Sequence, residues 1–225
     1  MFYDPLAIAL AVISANIPDF DHEFKRNHVI TIIALGAIVS LFLYCMGLPY
    51  YLGLVIIFLG GIFLLSNHRG FTHSILGAFL ITLFLSLFLF FGIGLSSYDL
   101  DFNNPRNMMI LLILIITLGL LFLNKRLYPI FLVAIALIVV SVHMGFISPL
   151  KINLTLLVFS IFFGLASHIS LDSFTPAGVK AFSSFSDREY HKKFGISLLI
   201  ALFVMFVLLF PNKLLFYFYF LANLL

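Results

Sequence analysis

Long apolar runs broken by short polar or proline-bearing segments divide the chain, and the runs fall at roughly 5–17, 28–47, 51–66, 74–95, 107–123, 128–147, 152–171 and 194–210. Each run is continuously apolar instead of alternating, so the pattern predicts helices and not the strands of a membrane barrel. About twenty such residues in a helix cross a bilayer. The first run, about thirteen residues or roughly 20 Å of helix, predicts a tilted, partly inserted or re-entrant element. The tail 214–225, "LLFYFYFLANLL", follows Pro211, and its aromatic content predicts a short interfacial helix. The fold class expected is all-α: a polytopic helical membrane protein with about seven or eight transmembrane or re-entrant helices and that C-terminal helix. Residues 1–225 are expected to form one integral-membrane domain, with no internal repeat.

Composition removes the soluble alternative. Hydrophobic residues make up 63% and charged residues 9%, with a mean hydropathy of +1.21, more apolar surface than a water-soluble globule of this size can hide. The single Cys45 lies inside an apolar run, which excludes an intrachain disulfide or a thiolate metal cluster and leaves a small buried apolar residue as the plain reading. No cleavable signal peptide is expected, because the N-terminus lacks a basic region and the first run ends in "NIPDFDH".

Charge then orients the chain. If every run from the second onward crosses the membrane, one set of loops holds Lys25, Arg26, Arg69, Lys125, Arg126, Lys180, Arg188, Lys192 and Lys193, and the other holds Arg106, Lys151 and Lys213. Nine basic residues against three predict that the first set is cytoplasmic. The same alternation gathers the polar segments 18–28, 67–73 and 172–193 on that side. Six of the seven histidines (His22, His28, His68, His73, His168 and His191) fall in or at the edges of those segments, although they are scattered along the chain. His143 lies near the opposite end of its helix and reads as structural, while Asp99 and Asp101 read as solvated loop charges. His28 and His191 stand in weaker contexts, and Lys180, Arg188, Lys192 and Lys193 read as topology determinants or headgroup contacts.

Three blocks carry candidate chemistry. In "IPDFDHEFKRNH", Pro18 closes the first helix and a polar turn follows, in which Asp19, Asp21 and His22 can converge on one cation; the plain alternative is a helix cap or solvated acids. In "HRGFTHS", His68 and His73 bracket Gly70, which permits a tight turn, and Thr72 or Ser74 is placed to cap the next helix, whose amide-rich terminus attracts anions. Arg69 offers a planar donor fork for phosphate or carboxylate, and equally a snorkelling anchor. In "GLASHISLDSFTPAGV", His168 and Asp172 share one helix face at i, i+4, as two metal ligands or as a ligand and its hydrogen-bonded partner. Ionisable residues at membrane depth are costly and point to function. Thr175 and Gly178 then shape the turn that ends the helix.

Pooled, the blocks predict a mixed nitrogen and oxygen donor set: Asp19, Asp21, His68, His73, His168 and Asp172. Such a set suits zinc, with manganese or iron as alternatives, and has enough donors for one or two ions. Water activated by the metal makes hydrolysis the default chemistry. His22, Arg69 and Thr72 are the candidate catalytic residues, and Gly70, Thr175 and Gly178 the structural turns.

"PDFDH", "HRGFTHS" and "SHISLDSFTPAGV", in that order among hydrophobic helices, resemble the YdjM-like family, described as LexA-binding, inner membrane-associated metal-dependent hydrolases. The resemblance implies a site on Asp19, Asp21 and His22, then His68, Arg69, Thr72, His73 and Ser74, then His168, Asp172, Thr175 and Gly178. Relatives carry a histidine just before the first helix, where this chain reads "MFYDPLA" and offers Asp4. No residue marks a LexA interface.

The expectation is a multi-pass protein of the cell (inner) membrane whose site faces the cytoplasm and hydrolyses a phosphoester in a lipid or lipid-linked substrate. Membrane lipid is the expected partner, and direct nucleic-acid binding is not expected. The alternatives are an ion- or proton-coupled transporter and a noncatalytic membrane scaffold with a structural metal.

Overall fold

The computed structural model describes residues 5–19, 26–47, 50–65, 70–93, 99–101, 105–144, 151–183 and 185–211. The described part is all-helical apart from one short strand pair. Its α-helices are α1 (Pro5–Asn16), α2 (Arg26–Cys45), α3 (Tyr51–Leu65), α4 (Ile75–Ile93), α5 (Pro105–Phe122), α6 (Tyr128–His143), α7 (Leu154–Asp172) and α8 (Lys192–Leu209). Every apolar run becomes one helix, since a backbone surrounded by apolar side chains must satisfy its own amides and carbonyls. The strands, β1 (Asp99–Asp101) and β2 (Lys151–Asn153), pair antiparallel with Asp99 opposite Asn153, and no hydrophobic alternation in segments so short signalled them. The C-terminal segment 214–225 lies outside the described residues.

Packing centres on α7, which contacts α1, α4 and α8. Leu157, Ile161, Leu165 and Ile169 form a buried stripe at i, i+4 along α7, and Leu6, Leu10, Ile13 and Ile17 form its counterpart on α1. The two stripes meet closely because Gly164 has no side chain: a Cβ there would collide with the Ala11 carbonyl oxygen. That approach carries the end of α1, and with it Asp19, to the end of α7. Leu111, Leu114, Ile115, Leu118 and Phe122 of α5 complete the core beside α1. The α2 and α3 hairpin packs mainly on itself, its turn tied by Ser40 Oγ donating to the Tyr50 carbonyl at 2.8 Å, and joins the bundle through α3 and α4.

The polar segment after α7 is ordered by its own bonds. Val179 and Tyr190 exchange two backbone hydrogen bonds at 2.9 and 2.8 Å, and Ser170 Oγ of α7 donates to the Gly195 carbonyl of α8 at 2.9 Å. Phe182 meets Tyr190 edge to face with centroids 5.4 Å apart, and Phe194 lies tilted against Tyr190 at 5.2 Å. The segment then reaches across to α4, where the Ile75 amide donates to the Ala181 carbonyl at 2.9 Å.

Among the described residues, two helices are by themselves long and apolar enough to cross a membrane, at Thr155–Asp172 and Lys192–Leu209. Eighteen residues of helix measure about 27 Å, close to the thickness of a hydrocarbon core. Shorter apolar stretches, Leu6–Asn16, Val29–Cys45, Gly53–Leu64, Ile75–Leu87 and Leu111–Phe122, lie in α1 to α5, and α1, with 12 residues, measures only about 18 Å.

Candidate functional site

At the end of the bundle where α1 stops, α4 starts and α7 stops, four of the candidate residues converge. His73 ends a 3-10 turn, Phe71–His73, and is buried with Thr72. Its Nδ1–H donates to Asp172 Oδ2 at 2.7 Å, since an ionised carboxylate only accepts. His168, one turn before Asp172, sets its Nε2 3.4 Å from the same Asp172 oxygen and 3.3 Å from Asp19 Oδ1. The two imidazole rings stand 5.4 Å apart, tilted by 59°. Burial grades across the group, from 4% exposure of the His73 side chain through 21% for Asp172 to 65% for Asp19, so the cluster has a sealed wall and one open arm.

The donor set and geometry fit a divalent cation. One ligand atom from each of Asp19, His73 and His168 lies within 4.8 Å of the other two. Bonds of about 2 Å to a shared ion put tetrahedral ligands roughly 3.4 Å apart, so closing the set needs only a small movement, which the exposed Asp19 can make. The His168 Nε2 atom adds a second sign: it is shut off from solvent and makes a hydrogen bond of good geometry with neither nearby oxygen. Buried polar atoms are ordinarily satisfied, and a cation among these donors would satisfy this one. Asp172 stands differently. At 2.7 Å from a ring nitrogen it holds the His73 imidazole in place, as carboxylates do behind metal-bound histidines.

The helix starts and stops follow from named side chains. Ser74, not Thr72, caps α4: the Gly77 amide donates to Ser74 Oγ at 2.9 Å, while Thr72 is fully buried. With the Ile75 amide on Ala181 and the Gly77 amide on Ser74, two donors of the first turn are already used. The anion attraction read into that terminus is reduced accordingly. At the other side, Thr175 Oγ1 donates to the Asp172 carbonyl at 2.7 Å and closes α7 directly behind the cluster. Gly178 takes φ +65°, a left-handed position suited to glycine, and its missing Cβ leaves room for the His191 ring. Gly70 turns with φ −93°, so left-handed freedom is not what it supplies.

Of the candidate residues, Asp19, Gly70, Thr72, His73, His168, Asp172, Thr175 and Gly178 are described, and Asp19, His73, His168 and Asp172 form the cluster. Asp4, Asp21, His22, His68 and Arg69 lie outside the described residues, as do the side chains of His28 and His143. Sequence reasoning missed Ala181 and the Ser170 to Gly195 bond, which brace the cluster from behind. Both use a backbone carbonyl, and no residue type announces that. The spacing of Ser74 to Gly77 was a readable cap signal.

The family model described as "YdjM inner membrane protein" matches residues 2–223, almost the whole chain. No curated protein and no solved structure matches it.

Proposed function

The chain belongs to the YdjM inner membrane protein family, and on that premise we propose that it is a membrane-embedded, metal-dependent hydrolase acting on a phosphoester in a lipid or lipid-linked substrate. The observation that carries this reading is the buried His168 Nε2, set among the oxygens of Asp19 and Asp172 beside a second imidazole. Asp19, His73 and His168 would hold the ion, zinc before manganese or iron on donor chemistry. When bound, the cation supplies Lewis-acid polarisation of the ester and activation of water.

The protein's own residues do the rest. Asp172 fixes the orientation of the His73 ring, and Thr175 fixes Asp172 by closing the helix behind it. The buried His73 ring and the shielded Nε2 of His168 exclude water on one side, so substrate enters past Asp19. On side-chain chemistry, Arg69 would pair with the phosphoester anion, His22 would move a proton at the leaving oxygen, and Asp21 and His68 would serve a second ion. About seven or eight helices would cross or enter the membrane, with the cluster on the cytoplasmic side, a side supported by the nine-to-three distribution of basic residues.

Metal analysis of the purified protein tests the reading first. Stoichiometric zinc, manganese or iron is expected in the wild type and background levels in His168→Ala. A wild type without metal, or one that keeps its metal in His168→Ala, overturns it. Bound metal with no turnover across a panel of lipid phosphoesters would make the protein a scaffold with a structural metal.

A second reading, ion passage, has one observation in its favour. Thr82 and Ser86, at i, i+4 on α4, bury hydroxyl oxygens that have no hydrogen-bond partner among the described residues. Ion flux in proteoliposomes that disappears in Thr82→Val would decide for it.

A further inference from the structure

A cleft of about 290 Å³ opens between α1, the end of α5 and α6. Its walls are apolar throughout, among them Ile8, Val12, Leu123, Phe131, Ala134 and Ile138, and none of them belongs to the histidine–carboxylate cluster. An apolar cavity of about 150 Å³ stays dry and admits a benzene-sized molecule, so this one accepts a longer piece of hydrocarbon and offers water no partner. In an inner membrane protein such a cleft faces lipid.

The rim says which lipid. Between the wall residues Leu123 and Phe131 the chain makes the 3-10 turn Lys125–Leu127, with Lys125 and Arg126 both exposed. Asn124 Oδ1 accepts the Arg126 amide at 3.0 Å and pins the turn, and the Tyr128 hydroxyl donates to the Leu120 carbonyl across the same corner. Among the described residues no carboxylate lies within ion-pair distance of either cation. An apolar slot whose wall residue Leu123 leads within two positions into two exposed cations, with no carboxylate near either among the described residues, has the polarity of a phospholipid: hydrocarbon first, then a phosphate. Positive-inside anchoring accounts for the charges alone and requires no slot.

We propose that this cleft binds one acyl chain of an anionic bilayer phospholipid, with its phosphate against Lys125 and Arg126. The site goes beyond the hydrolase reading and stands without it.

The test titrates delipidated full-length protein in detergent with phosphatidylglycerol or phosphatidylcholine of matched chains, read by native mass spectrometry. Two cations near a lipid phosphate favour the anionic lipid by about thirtyfold. That preference is expected in the wild type and should fall to near unity in the Lys125→Gln, Arg126→Gln double variant. Ala134→Phe, which fills the slot, should displace both lipids while metal content stays unchanged. Equal binding of the two lipids by the wild type overturns the proposal, and so does phosphatidylglycerol binding that survives Ala134→Phe or is matched by inorganic phosphate. Should Ala134→Phe not accumulate, the double variant decides alone, since both its side chains are exposed and outside the packing.

Discussion

Helices α7 and α8 are the same length where it matters and opposite in what surrounds them. Each offers an 18-residue apolar window, yet half of the α7 window is buried inside the protein and only 11% of the α8 window. α7 places His168 and Asp172 at its buried end, against α1 and α4. α8 has Gly195 and Leu202 as its buried residues and turns Phe203, Leu208 and Leu209 outward. Apolarity alone therefore does not distinguish a structural hub from a peripheral helix with an exposed apolar surface. What distinguishes them is which neighbours each helix has, and a costly polar group is tolerated only on the helix that has partners for it.

Four substitutions would break or sharpen that contrast. Removing the imidazole in His168→Ala should have the largest effect, abolishing metal retention in elemental analysis and lowering any metal-dependent turnover by more than about hundredfold. Leu165, fully buried on α7, should cost about 2–5 kcal/mol as Leu165→Ala, read as a fall in melting temperature in detergent; an unchanged melting temperature would deny α7 its central place. Next comes Asp172→Asn, which keeps the size of the side chain but weakens its hold on His73, and should reduce metal affinity by about 10–100-fold. An affinity indistinguishable from wild type would mean that Asp172 does not orient the ring. Smallest is Leu208→Ala on α8, where the side chain is 75% exposed; it should shift stability by less than about 0.5 kcal/mol. A shift as large as that of Leu165→Ala would show that α8 is covered by something other than lipid.

The fold was legible in the sequence to the level of its helices. All eight apolar runs became helices within a few residues of their expected ends, because α-helical hydrogen bonding is local and a long apolar run leaves no other way to satisfy it. The end of α7 was legible for the same reason: His168 and Asp172 share a face at one-turn spacing whatever the rest of the chain does. The number of full spans was less so. Among the described residues two helices hold an 18-residue window apolar enough to span, while α1 with 12 residues and α3 with 15 fall short of it, as their runs already did.

The candidate site was legible as a set of residues and not as an arrangement. Two histidines bracket Gly70, and spacing treats them alike; only the fold shows His73 against Asp172. Asp172 was one donor among six, and its short contact with a ring nitrogen is what marks it as the residue that steadies His73. The anion-binding start of α4 read well in isolation, until Ala181 from more than a hundred residues away took one of its amides.

By itself, then, the sequence determined the eight helices, the apolar class of the protein, the shared helix face of His168 and Asp172 and a hydroxyl cap for α4 from Thr72 or Ser74. These depend on contacts between residues three or four apart, whose geometry the helix fixes. Tertiary structure alone decided that α7 is the hub and α8 the peripheral helix, that Asp19 reaches His168, and that Asp172 turns to His73. Those choices follow from the rotation and offset between packed helices, set by close approaches such as Gly164 on Ala11, and no local pattern records them.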